Sequence, residues 1–113
     1  MTVLTLTTHI LDTARGTPAA EVALKLLKAG QVIFEGRTDK DGRCPALREL
    51  TLGGGHYRFE FAVADYFRAL GQTLTDPPFL DIVVLEFGLS ERGGHYHVPL
   101  LVSPYGYSTY RGS

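Results

Sequence analysis

Apolar and polar residues alternate in several runs along the chain, and turn residues bound each run. Leu4, Leu6 and Ile10 share one parity with Thr8, while Thr5, Thr7 and His9 share the other with Val3. The pattern predicts a strand over Val3–Ile10 with His9 on its outer face. Asp12, Gly16 and Pro18 then supply turn chemistry. Val22, Leu24 and Leu26 alternate with Ala23, Lys25 and Leu27. Their residue types suit a helix, but the run has strand length and Val32-Ile33-Phe34 follows at hairpin distance, so both segments read as strands. Tyr57, Phe59, Phe61 and Val63 against His56, Arg58, Glu60 and Ala62 give the cleanest alternation, with an aromatic face turned to the core. Ala64–Leu70 breaks it and predicts about two helical turns ended by Gly71, the only helix expected. Phe79–Phe87 is apolar on both faces over Ile82–Leu85 and predicts a central strand. In the last strand Tyr96, Val98, Leu100 and Val102 face one way, and His95, His97, Pro99, Leu101 and Ser103 the other.

The segments between the strands are turns. Thr38–Arg43 is built around Asp41-Gly42, Leu47–Leu52 is a short piece, and Ser90–Gly94 leads into the last strand. Gly53-Gly54-Gly55 lacks the strand and helix context of a phosphate loop. Seven or eight short strands with one small helix make an all-β, two-sheet sandwich, expected as one domain over residues 1–113. No internal repeat interrupts it.

Composition narrows the function classes. A chain of 113 residues with 44% hydrophobic content can bury its own core. Its net charge of −1 and the absence of a basic run argue against a nucleic-acid partner. No apolar stretch is long enough to span a bilayer. With a single cysteine there is no intrachain disulfide, and Cys44 reads as a small, partly buried filler rather than a nucleophile. The first residues lack the pattern of a signal peptide. The expected location is therefore cytoplasmic.

The candidate chemistry lies in the histidines. His9 and His97 project from outer faces, and His95 shares the parity of His97. An imidazole is the natural general base near neutral pH, and an arginine such as Arg43 can polarise a carbonyl. Such a set could hydrolyse an activated cyclic amide with water as nucleophile. Two other readings stay open on residue pattern alone. The histidines could be solvated surface groups, or His95 and His97, with His9, could bind a metal. A serine nucleophile has little support, because no Gly-x-Ser-x-Gly elbow is present. The chain keeps hydrogen-bonding residues to its end, Ser108-Thr109-Tyr110-Arg111-Gly112-Ser113, which suggests an ordered, used terminus.

Leu6-Thr7-Thr8-His9-Ile10-Leu11-Asp12, Asp41-Gly42-Arg43, His95-Tyr96-His97-Val98-Pro99-Leu100-Leu101 and the closing Tyr110-Arg111-Gly112-Ser113 resemble the motifs of the transthyretin-related 5-hydroxyisourate hydrolases. The resemblance covers essentially the whole chain. It implies a sandwich of two four-stranded sheets with one short helix, and a homotetrameric dimer of dimers with active sites in the channel between dimers. It also implies a catalytic set of His9, Arg43 and His97, with Ser108, Tyr110, Arg111, Gly112 and Ser113 shaping the substrate pocket. The implied reaction is hydrolysis of 5-hydroxyisourate to 2-oxo-4-hydroxy-4-carboxy-5-ureidoimidazoline in urate degradation, with no cofactor and no metal. Which histidine is the base stays open. The competing expectation is a transthyretin-like carrier that holds a small ligand in the same channel without chemistry.

Overall fold

The computed structural model describes residues 3–112. Eight strands form two four-stranded sheets. They are β1 (Leu4–Asp12), β2 (Thr17–Pro18), β3 (Ala23–Lys28), β4 (Gln31–Arg37), β5 (Gly55–Ala62), β6 (Ile82–Leu89), β7 (Gly94–Ser103) and β8 (Gly106–Thr109). One sheet runs β2-β1-β7-β8 and the other β4-β3-β5-β6.

The alternation read in the sequence decides what each strand buries. Leu6 and Ile10 of β1, Leu24 and Leu26 of β3, Phe59 and Phe61 of β5, and Leu100 and Val102 of β7 lie almost wholly inside. Burying a side chain of this size stabilises the fold by about 1.5–3 kcal/mol. The rings of Phe59 and Phe61 sit 5.1 Å apart and those of Phe59 and Phe87 5.3 Å apart, which ties β5 to β6. Thr8 shares the inner face of β1 and is buried, and its hydroxyl donates to the Val98 carbonyl at 2.7 Å. That bond removes the cost of a polar atom in the core.

β1 and β7 pair in parallel, from Leu4 opposite Gly94 to Asp12 opposite Val102. Parity is preserved across the pair, so Thr5, Thr7 and His9 share one outer face with His95, His97 and Pro99. Both ends of the chain thus contribute to a single surface.

Two expectations need correction. The run Phe79–Phe87 is not a central strand. The strand is Ile82–Leu89, and it occupies the edge of its sheet beside β5. Ile82 and Val84 are 48% and 39% exposed, so an apolar outer face stands there without being covered within the protomer. Val63 does not continue β5. It opens helix α1 (Val63–Ala69), whose Val63, Ala64, Tyr66 and Phe67 are buried. Asp65 in its first turn and Arg68 in its last suit the helix dipole. α1 is the one α-helix expected, and Pro45–Glu49 adds a short 3₁₀ turn with Pro45 at its start.

A polar tie closes one end of the sandwich. Asp12 is fully buried, and its carboxylate accepts from the backbone N–H groups of Ala14 and Arg15, both at 3.0 Å. The Tyr66 hydroxyl of α1 donates to the same carboxylate at 2.8 Å.

Candidate functional site

A tight loop carries Arg43 to β1. The Asp39 carboxylate accepts the backbone N–H of Asp41 at 2.9 Å and of Arg43 at 3.0 Å, an arrangement typical of aspartate at turns. Gly42 adopts φ +76°, and its carbonyl accepts the Ile10 N–H at 2.8 Å. Arg43 then forms an antiparallel bridge with His9, which places both side chains on the outer face. His9 Nε2 lies 2.8 Å from the Asp41 carbonyl. A carbonyl only accepts, so Nε2 carries the proton and the neutral ring has its lone pair on Nδ1.

His97 is held from two sides. Its Nδ1 is 2.8 Å from the Thr7 hydroxyl. On its other edge lies Gly112, whose N–H donates to the His97 carbonyl at 2.7 Å. The ring is thereby turned so that Nε2 faces outward, and among the described residues Nε2 has no hydrogen-bond partner.

Arg43 and His97 meet in an open cleft of about 480 Å³ lined also by Thr7, Cys44, Arg48 and His95, among others. Among the described residues, neither Arg43 nor Arg48 has a carboxylate partner. The cleft is therefore electropositive and suited to an anion or to developing negative charge. Burial lowers the pKa of His97 below the ordinary imidazole value, and the charge of Arg43, then electrostatic coupling to His9 and His95, lowers it further against a raising contribution from the hydrogen bond with Thr7. Burial first, then the Asp39 carboxylate, pushes the Cys44 thiol up. A thiol so placed is a poor nucleophile at neutral pH.

His9, Arg43 and His97 thus come together, although His9 flanks the cleft rather than lining it. The tail residues divide. Gly112 packs on His97, while Tyr110 and Arg111 line a second cleft with Tyr96, Val98 and Leu85. The Arg111 guanidinium stacks over the Tyr96 ring at 4.0 Å and donates to the His95 carbonyl at 3.3 Å. Ser108 pairs with Leu101 on the outer face, beyond the cleft. Ser113 lies outside the described residues. No group of three His, Cys, Asp or Glu side chains among the described residues is disposed to hold a metal ion.

Sequence reasoning did not find Thr7 and Thr5 as partners of the histidines, nor Arg48 in the cleft. The threonines had the right parity on β1, but the parallel pairing that sets them opposite His95 and His97 leaves no local signal. Arg48 follows from the 3₁₀ turn after Cys44, which periodicity does not reveal.

Comparison with known proteins gives a consistent result. The family model described as HIUase/Transthyretin family matches residues 6–112. The chain is 55% identical over 114 residues to the 5-hydroxyisourate hydrolase of Ralstonia nicotianae, covering 96% of this chain and 97% of that one. Among solved structures, (S)-allantoin synthase superposes with a TM-score of 0.90 at 38% identity over 99% of this chain, which spans 44% of that longer protein. The 5-hydroxyisourate hydrolase of Klebsiella pneumoniae superposes with a TM-score of 0.84 at 31% identity, covering 100% of this chain and 96% of that one.

Proposed function

The chain belongs to the HIUase/Transthyretin family, and from that premise we propose that it hydrolyses 5-hydroxyisourate to 2-oxo-4-hydroxy-4-carboxy-5-ureidoimidazoline in urate degradation. The reaction is the opening of a cyclic amide by water, without metal or other cofactor. One observation carries this reading: an imidazole with an unpartnered outward nitrogen and a guanidinium without a carboxylate share one cleft.

His97 is the general base. Its lowered pKa keeps it neutral, and its Nε2 takes the proton from water as the oxygen attacks the ring carbonyl. Arg43 faces the developing oxyanion, where a preorganised cation lowers the barrier. His9, with Nε2 committed to the Asp41 carbonyl, orients the water or assists proton transfer to the leaving nitrogen. Ser108, Tyr110, Arg111, Gly112 and Ser113 shape the substrate pocket within a homotetramer, a dimer of dimers, in which the tail of the chain lines a shared channel. The protein works in the cytoplasm. A carrier of the same fold has no evident need of a base and an oxyanion cation side by side.

The test is an ultraviolet assay with 5-hydroxyisourate generated in situ by urate oxidase. The expected result is accelerated decay that survives a chelator. Arg43→Ala should lose on the order of 100-fold or more in turnover while remaining folded. No acceleration by the folded protein would reject the hydrolase and favour the carrier. Loss of activity on chelation would reject the metal-free mechanism.

A further inference from the structure

Four side chains on the outer face of β1 and β7 form an unbroken chain. Thr5 Oγ1 lies 2.7 Å from His95 Nδ1, His95 Nε2 lies 3.3 Å from Thr7 Oγ1, and Thr7 Oγ1 lies 2.8 Å from His97 Nδ1. The parallel register produces it, with Thr5 opposite His95 and Thr7 opposite His97. One end is the half-buried His97 in the cleft. The other is the exposed His95 with Thr5.

A neutral imidazole has one donor and one acceptor nitrogen, and a hydroxyl does both. The chain can therefore be satisfied with all its bonds in one direction or with all of them reversed. In the first state His97 Nδ1–H donates to Thr7, Thr7 donates to His95 Nε2, and His95 Nδ1–H donates to Thr5. Nε2 of His97 then carries a bare lone pair toward the cleft. In the second state the hydrogen sits on His97 Nε2, and Nδ1 accepts from Thr7. The cationic Arg43 in the same cleft favours a lone pair over an N–H on the facing nitrogen, so the first is the resting state.

We propose that Thr7, His95 and Thr5 form a proton exit that converts His97 from base to acid by reversing this chain. The proposal rests on the hydrolase reading above. When Nε2 of His97 takes a proton from the attacking water, the Nδ1 proton passes to Thr7 Oγ1, and the Thr7 hydroxyl proton passes to His95 Nε2. The His95 Nδ1 proton passes to Thr5 Oγ1, and the Thr5 hydroxyl proton leaves to solvent. One proton enters and one leaves, every group ends neutral, and His97 ends with N–H at Nε2. When that proton goes to the departing ring nitrogen the chain runs back, Thr5 taking a proton from solvent and Thr7 returning one to His97 Nδ1, so that no imidazolate is left and the resting state is restored. Opening a cyclic amide to a carboxylate and a non-basic ureido nitrogen releases one net proton per turnover, the one that the new carboxylic acid loses to solvent, while the proton taken from water must be held off the base until the ring nitrogen departs. The groups facing His97 are Arg43, His9 and His95, and the fixed charge of the Arg43 guanidinium disfavours a lasting imidazolium beside it. A route that avoids it is an advantage. Thr5, Thr7 and His95 touch no reacting atom and act as positioning residues.

Two measurements test this. The first is the ring ¹⁵N spectrum of His97 in the resting protein. The Nδ1–H form is expected, and it should give way to Nε2–H in Thr7→Val, which keeps the branched strand-forming shape and loses only the hydroxyl. The Nε2–H form in the parent protein would overturn the proposal. The second is turnover against buffer concentration. The parent should be insensitive, whereas Thr7→Val and His95→Phe should lose on the order of tenfold or more at low buffer with KM little changed, in keeping with the size of general acid–base effects. Added imidazole should restore them by carrying the stranded proton. A loss that imidazole does not restore, or no loss at all, would overturn the exit while leaving the hydrolase reading intact. A parent protein that fails to accelerate 5-hydroxyisourate decay would overturn both.

Discussion

Gly112 lies directly across the strand edge from His97, and a Cβ built on Gly112 would stand 2.6 Å from His97 Cδ2 and 3.1 Å from Cγ. No real side chain tolerates that approach, so the glycine sets how the imidazole is turned. Gly112→Ala should rotate or displace the ring. We expect kcat to fall on the order of tenfold or more, because small misplacements of a reacting group carry large rate penalties. The melting temperature should change little, since Gly112 lies at the chain's edge rather than in its core. An unchanged kcat would separate the tail from the base.

The lowered pKa of His97 fixes the sign of a pH effect. The proposed base would work only when neutral, so the acid limb of kcat/KM should lie below the ordinary imidazole value of about 6.5. Burial is the larger cause and Arg43 the next. Arg43→Ala should therefore move the limb toward higher pH as well as lower the plateau. A limb that stays in place would mean that Arg43 does not bear on His97 electrostatically.

The loop that delivers Arg43 depends on Asp39 and Gly42. Asp39→Ala removes the acceptor for two backbone N–H groups. The fold should lose about 0.5–1.5 kcal/mol per hydrogen bond at most, and turnover should fall further than that loss explains. Gly42→Ala is harsher, because φ is +76° and the new Cβ would strike the Ile10 carbonyl oxygen. Thermal unfolding of both variants beside the ultraviolet assay separates the two effects.

Tyr66 donates to a carboxylate that water does not reach. Tyr66→Phe leaves one Asp12 oxygen without this partner and should cost on the order of 1–3 kcal/mol. Burial, the hydrogen bond to Asp12 and its charge all raise the Tyr66 pKa. A raised pKa means that the stability is fully present below the unfolded tyrosine value of about 10 and is lost as pH rises above it. Urea titrations across alkaline pH should show that decline in the parent and a flatter profile in Tyr66→Phe.

Much of this architecture was legible from alternation. The inner faces of β1, β5 and β7 follow the parity of Leu6, Phe59 and Leu100, and the same parity put His9 and His97 outside. β6 misled because an apolar outer face reads the same whether a neighbouring layer covers it or it stands half-exposed, as Ile82 and Val84 do. The partners of His97 were illegible for a different reason. Thr7 and His97 are 90 residues apart, and nothing local encodes which strands pair or in which direction. Periodicity yields faces, and the meeting of faces comes from packing.

The parallel pairing of β1 with β7 has a consequence for how the chain is made. Thr5 must wait for His95, 90 residues downstream, before that edge of β1 finds its hydrogen-bonding partner. At ribosomal speeds of about 5–20 residues per second that wait is roughly 5–20 s. Through that interval a nascent strand carrying Leu4, Leu6 and Ile10 presents an open edge. Such an edge is a template for wrong pairing. The assembly of the face that carries the candidate site is thus also the moment at which that open edge closes.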